Sequence, residues 1–132
     1  NHFVNIKKCS NIKLLNKNKF NDINRVLYHV DLLITDYSSI FYDFLILDRP
    51  ILFFPADLIE YQKDDRELYV DYNKATPGKK CESWSEIQIE LEKYFQNEDH
   101  FKFERNLVYN NYYKYSDGKN CERIINTISN YL

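Results

Sequence analysis

Asp36, Ser38 and Ser39 stand together in Asp36-Tyr37-Ser38-Ser39, directly after the apolar run Leu32-Leu33-Ile34-Thr35 and directly before a second apolar stretch, Ile40 to Leu47. If a strand ends at Thr35 and a helix starts at Ser38 or Ser39, the backbone N–H groups of Ser39, Ile40 and Phe41 lack intrahelical acceptors. With the serine hydroxyls, they can hold a phosphate group. The same residues also make an ordinary capping turn, in which Ser38 satisfies its own helix and Asp36 holds the loop. Spacing alone leaves both readings open.

Other residues offer chemistry with a plainer alternative beside it. Asp57 with Glu60 three residues on has capping-box spacing, as does Ser83 with Glu86. Arg66 presents a guanidinium fork suited to phosphate, but it lies in a segment of mixed charge where exposed ion pairs are common. Tyr109, Tyr112, Tyr113 and Tyr115 around Lys114 approach a base-stacking platform, while their helical spacing equally fits packing. His29 and His100 have no partners at ligand spacing. Cys9, Cys81 and Cys121 are odd in number, widely spaced and without a CxxC pair, so they read as reduced structural thiols and not as a disulfide framework or zinc knuckle. No metal site and no cofactor is expected.

The elements that would position these residues follow from periodicity. Ile12–Leu15 reads as a short strand, and Asn21 as the N-cap of a helix carrying Ile23, Val26, Leu27 and Val30. The run Leu32–Thr35 is continuous and not alternating, as in a parallel strand covered on both faces. The Ile40–Leu47 helix is stopped by Asp48-Arg49-Pro50. Ile51–Phe54, ended by Pro55, is a second strand, giving a strand–helix–strand crossover unit. Residues 63 to 80 read as a long loop with a short strand at 68 to 71. Residues 83 to 97, 99 to 113 and 120 to 131 read as helices, the last capped by Asn120 after the Asp117-Gly118 turn.

The whole reads as an α/β domain with a parallel sheet and flanking helices. Its 132 residues, 44% hydrophobic with net charge -2, supply one core, and residues 1–132 form a single domain. With 29% charged and 17% aromatic residues the chain is too apolar for a disordered tail and too mixed in charge for a generic nucleic-acid binder. No repeat of period 20 to 50 marks a solenoid, and no run approaches the ~20 apolar residues of a membrane span. The start at Asn1 and the lack of Met point to a fragment or processed product.

Asp31 to Asp43, Arg49-Pro50-Ile51, Asp57-Leu58 with Tyr61, Asp65-Arg66 and Thr76-Pro77-Gly78 occur in an order that resembles the C-terminal half of the CDP-glycerol glycerophosphotransferase family, the teichoic-acid and related capsule polymerases and primases. Asp117-Gly118-Lys119 with Glu122-Arg123 resembles that family's final turn and helix. The resemblance implies a GT-B fold of two Rossmann-like lobes with the active site in the cleft, of which this chain would be the C-terminal, donor-nucleotide lobe, a Rossmann-like parallel sheet with flanking helices, with the acceptor lobe absent. It implies transfer of glycerol phosphate from CDP-glycerol to a hydroxyl of a polyol-phosphate or glycan acceptor.

By position, Ser38, Ser39 and Ile40 then match the donor pyrophosphate site, joined by Arg66. Asp36 and Asp57 order the loop or meet the donor's glycerol, and His2 resembles the family histidine that binds or protonates the pyrophosphate. The family's usual Arg-Gly is here Arg66-Glu67. The implied partners are a CDP-polyol donor, glycerol or ribitol, the N-terminal acceptor lobe and a lipid-linked acceptor, at the inner face of the bacterial membrane, with no nucleic acid. The alternatives are a GT-B transferase or epimerase using a UDP-sugar, a phosphoacceptor module with Asp36 as acceptor, and a non-catalytic nucleotide-binding module. The isolated chain is expected to lack turnover.

Overall fold

In the computed structural model, residues 10–15, 22–58 and 70–131 are described. They form, in chain order, α1 (Ile23–Leu27), β1 (Leu33–Thr35), α2 (Ile40–Leu45), β2 (Ile51–Phe53), α3 (Tyr72–Ala75), β3 (Lys79–Lys80), α4 (Trp84–Phe95), α5 (Lys102–Tyr112) and α6 (Asn120–Ser129). The sheet runs β1-β2-β3, parallel throughout, with Leu33 opposite Ile51, Thr35 opposite Phe53, and Phe53 opposite Lys80. The α/β class, the parallel sheet and the flanking helices are those read from the sequence.

Alternation along β2 sends its side chains to two cores. Phe53 and Ile51 join Phe41, Phe44, Leu45, Tyr72 and Val108 on the α2 side, while Leu52 packs with Cys81 and Ile87 under α4. All three β2 residues are buried, as a central parallel strand requires. β1 differs from expectation. Ile34, in register with Leu52, is 39% exposed, because α4 lays Ile87 and Leu91 over Leu52 and Cys81 and not over it.

The helix ends are set by local chemistry. Asp22 caps α1 by accepting from Asn24 N–H at 3.0 Å, while Asn21 lies outside the described residues. α2 stops at Leu45, Asp48 turns with φ 47°, and Arg49 Nη1 donates to the carbonyls of Tyr28 at 2.8 Å and Val30 at 2.7 Å, fastening the end of α1 to the start of β2. Ser83 Oγ accepts from Glu86 N–H at 3.2 Å, and the Glu86 carboxylate accepts from Glu82 N–H at 3.1 Å, so the box closes one residue earlier than its usual form. Ser83→Ala should cost about 1 kcal/mol, read as a lowered urea midpoint with unchanged slope.

Several sequence expectations are corrected. Ile12–Leu15 is not a strand. No described strand lies beside it to complete a ladder, and Leu14 is 71% exposed. Within 63 to 80, residues 63–69 lie outside the described residues, and Val70 and Asp71 are not extended ladder. Asp71 instead caps α3, accepting from Asn73 N–H at 2.9 Å. Lys79–Lys80 is a strand and not a loop, its place secured by the ladder to β2 and by the Lys80 ammonium over the Phe53 ring. Asn120 is the first residue of α6 and not its cap. Lys119 takes the cap position and Asp117 Oδ1 accepts the Lys119 N–H at 3.1 Å.

Candidate functional site

The carboxyl ends of the three parallel strands share one edge, where ligands of open α/β sheets bind. The Asp36–Ser39 turn leaves β1 at that edge. Asp36 Oδ1 accepts from Ser38 N–H at 2.8 Å, an Asx turn that fixes the loop and removes that N–H from further use. Ser39 takes the N-cap position of α2 with φ -66° and ψ -6°, and its side chain makes no cap hydrogen bond. The backbone N–H groups of Ser39, Ile40 and Phe41 have no acceptor among the described residues. Of the two readings left open by spacing, the loop-holding role of Asp36 is realised, while the Ser39 hydroxyl is not consumed by its own helix.

Two phenols brace this turn from elsewhere in the chain. Tyr37 Oη donates to Asp57 Oδ2 at 3.3 Å, bringing Asp57 beside the turn, and Tyr72 Oη donates to the Asp36 carbonyl at 3.3 Å. Burial, then the Asp36 carboxylate, push the Tyr72 phenol well above its ordinary value, so it stays a neutral donor. Ser38, Ser39, Asp36 and Asp57 are thus gathered at one place, with Ile40 beginning the helix. His2, Arg66 and Glu60 lie outside the described residues.

Beside Ser39 the α2 face opens into a cavity of about 380 Å³ lined by Tyr37, Phe41, Tyr42, Val70, Tyr72, Ala75, Thr76 and Tyr112. Sequence reasoning missed Tyr72 and Tyr42 as contributors here. The supposed stacking platform is taken up mostly by packing: Tyr109 and Tyr113 stack at 5.0 Å, Tyr113 Oη donates to the Tyr42 carbonyl at 2.9 Å, and Tyr42 meets Tyr112 at 4.6 Å. Burial, reinforced by Tyr112, also raises the Tyr42 phenol. Arg123 lies over the Tyr115 ring at 3.8 Å and pairs with Asp117, closing its own turn. Among the described residues no helix is long and apolar enough to cross a membrane.

These features define an α/β domain built on a parallel sheet, with an ordered serine turn and an open helix start at its ligand edge. The chain belongs to the CDP-Glycerol:Poly(glycerophosphate) glycerophosphotransferase family, whose model matches residues 3–130. The teichoic acid ribitol-phosphate polymerase TarL of Staphylococcus aureus is 32% identical over 110 residues, 83% of this chain and 18% of TarL. The teichoic acid poly(glycerol phosphate) polymerase of Bacillus subtilis is 34% identical over 110 residues, 83% of this chain and 15% of the polymerase. The structure of the wall teichoic acid polymerase TagF superposes with a TM-score of 0.71 at 28% identity, covering 88% of this chain and 28% of TagF. The chain therefore spans less than a fifth of the length of these two curated relatives.

Proposed function

We propose that this chain binds a CDP-polyol, CDP-glycerol or CDP-ribitol, as the donor-nucleotide lobe of a GT-B glycerophosphotransferase in teichoic-acid synthesis. The observation that carries the reading is the turn itself: at the carboxyl edge of a parallel sheet, the N–H groups of Ser39, Ile40 and Phe41 and the Ser39 side chain have no partner among the described residues. Such a helix start favours the negative charge of a pyrophosphate. Family membership supplies the donor class, and one TagF structure was soaked with CDPG. Asp57 and Asp36 order the loop through Tyr37 and Ser38, and their carboxylates offer acceptors to the glycerol hydroxyls of such a donor.

In the reaction, an acceptor hydroxyl oxygen attacks the β-phosphorus, the bond to the CMP oxygen breaks, and CMP leaves. The hydroxyl proton passes to a base on the acceptor lobe. The pyrophosphate gathers charge as CMP departs, and backbone N–H groups held in place by the folded turn would stabilise that charge without rearranging. His2 and Arg66 would complete the anion site, His2 by binding or protonating the leaving pyrophosphate oxygen and Arg66 through its fork. The partners of such a lobe are the acceptor lobe and a lipid-linked acceptor at the inner membrane face.

Calorimetric titration with CDP-glycerol, CDP, UDP and pyrophosphate tests this reading. The expected result is cytidine-selective binding that Ser39→Ala weakens about tenfold, the loss of one hydrogen bond to a charged group. Unchanged affinity in Ser39→Ala, or preference for UDP, would overturn the assignment.

A further inference from the structure

α3 is too short to hold itself. A helix of four residues makes barely one turn, and in water its nucleation costs more than its hydrogen bonds return. Its carboxyl end is nonetheless well supplied with partners. The Tyr72 carbonyl accepts from Thr76 N–H at 3.1 Å and from Thr76 Oγ1 at 2.5 Å, and the Asn73 and Thr76 carbonyls accept from Lys80 Nζ, the former at 3.4 Å. A cation on the last carbonyls of a helix both satisfies them and complements their partial negative charge.

Lys80 is itself held by the sheet. It is half-buried in β3, in register with Phe53 of the central strand, and its ammonium lies 5.7 Å from the centre of the Phe53 ring. Burial pulls the ammonium below the ordinary lysine range, opposed by the Glu104 carboxylate. Withdrawing a lysine head group from water costs free energy that a solvent-facing side chain does not lose. The carbonyls of α3 are what it gains, and its hydrogen bonds go to them and not to the serine turn.

The other end of α3 meets that turn. Tyr72, its first residue, is buried, and its ring stands edge-on to Phe53, centroids 6.2 Å apart and planes at 84°. Its Oη reaches the Asp36 carbonyl at 3.3 Å, and Asp36 is the residue whose carboxylate holds Ser38 N–H. One connected path therefore runs from the Lys80 ammonium through the backbone of α3 and the Tyr72 phenol to the serine turn, with the Phe53 ring against both Lys80 and Tyr72.

We propose that Lys80 is a positioning residue for the donor site: by locking the carboxyl end of α3 it holds Tyr72 on the Asp36 carbonyl, and so sets the Asp36–Ser39 turn before the donor arrives. The inference rests on the donor-binding reading above. Lys80 acts through α3, and its removal loosens the turn without deleting any group assigned to the phosphates.

Calorimetric titration with CDP-glycerol and with pyrophosphate is run on the parent chain, Tyr72→Phe, Lys80→Met and the double variant, and the backbone amide signals of Ser38 and Ser39 are followed by NMR without ligand. Tyr72→Phe and Lys80→Met should each weaken both ligands about fivefold, the worth of one hydrogen bond supporting the turn. Because the two residues act in series, the double variant should lose little more than either alone, well short of the ~25-fold product expected of independent sites. The Ser38 and Ser39 signals should move in Lys80→Met in the same direction as in Tyr72→Phe, a change that lowered stability alone does not produce. Parent affinity in a folded Lys80→Met, losses that multiply, or unmoved amide signals would each overturn the inference while the pyrophosphate assignment stands. Should Lys80→Met not fold, Lys80→Gln, a neutral donor on a shorter stem, is read by the same criteria. Absence of heat in the parent with both ligands overturns the donor reading instead, and the amide signals separate that failure from a failure of α3 to carry the restraint.

Discussion

Gly78→Ala is expected to destabilise the domain by about 3 kcal/mol or more, the range of severe overpacking. A methyl group at this position would stand 2.1 Å from the Ile51 carbonyl oxygen and 3.0 Å from Phe53 Cε2. Neither neighbour can yield. Ile51 and Phe53 are 2% and 0% exposed in the central strand, and moving either breaks the ladder to β1 or β3. Gly118 supplies the contrast: it has open space around it but φ 72°, so Gly118→Ala should cost only the left-handed strain of about 1–2 kcal/mol. Urea unfolding of both variants separates the two causes. A Gly78→Ala midpoint close to that of the parent would mean that the segment entering β3 does not approach β2 as described.

The Thr76-Pro77-Gly78 motif therefore has a structural reason independent of any ligand. Thr76 is buried, its hydroxyl donates to the Tyr72 carbonyl at 2.5 Å, and Lys80 Nζ donates to the Thr76 carbonyl, so the motif turns the chain from α3 into β3 under tight spatial limits. From the sequence these residues were legible as a motif of the family resemblance and as part of a polar loop, not as the turn into a strand. Two lysines carry no apolar signature, and a four-residue helix is too short to show a period, so α3 and β3 escaped periodicity. The crossover from Leu32 to Phe54 was legible because two continuous apolar runs bracket a helix that ends before a proline. The serine turn was legible because Asx chemistry is local, two residues from acceptor to donor. Its braces were not. Tyr72 meets Asp36 across 36 residues, and Tyr113 meets Tyr42 across 71, contacts that only the folded sheet and helices bring together.

Arg105 is the largest departure from what composition suggests, and it carries the second strong prediction. Its side chain is 1% exposed, yet it is a permanent cation. Asp99 answers it with a bidentate pair, Nη1 to Oδ1 at 2.9 Å and Nη2 to Oδ2 at 2.5 Å, and Asp48 Oδ1 stands 3.4 Å from Nη2. The guanidinium thus ties the approach to α5 to the turn between α2 and β2. Asp99→Ala should cost about 3 kcal/mol near neutral pH, the low end for a broken buried pair, because Asp99 itself is 26% exposed and Asp48 still offers partial compensation.

The pair also fixes a pH dependence. The hydrogen bonds from Arg105 hold the Asp99 carboxyl below its ordinary value against partial desolvation. A carboxylate whose folded value is depressed stabilises fully above its unfolded value, about 4, and loses that contribution as pH falls through the folded value. Urea unfolding from pH 7 down to about pH 3 should show the parent losing stability in this window, with Asp99→Ala showing a smaller slope. Equal slopes would remove Asp99 from the account. Arg105 Nε, buried and without a hydrogen-bond partner among the described residues, indicates that the cation is incompletely satisfied. Replacing both members, Arg105→Met with Asp99→Leu, should therefore recover most of what Asp99→Ala loses, since no buried charge is then left without its partner.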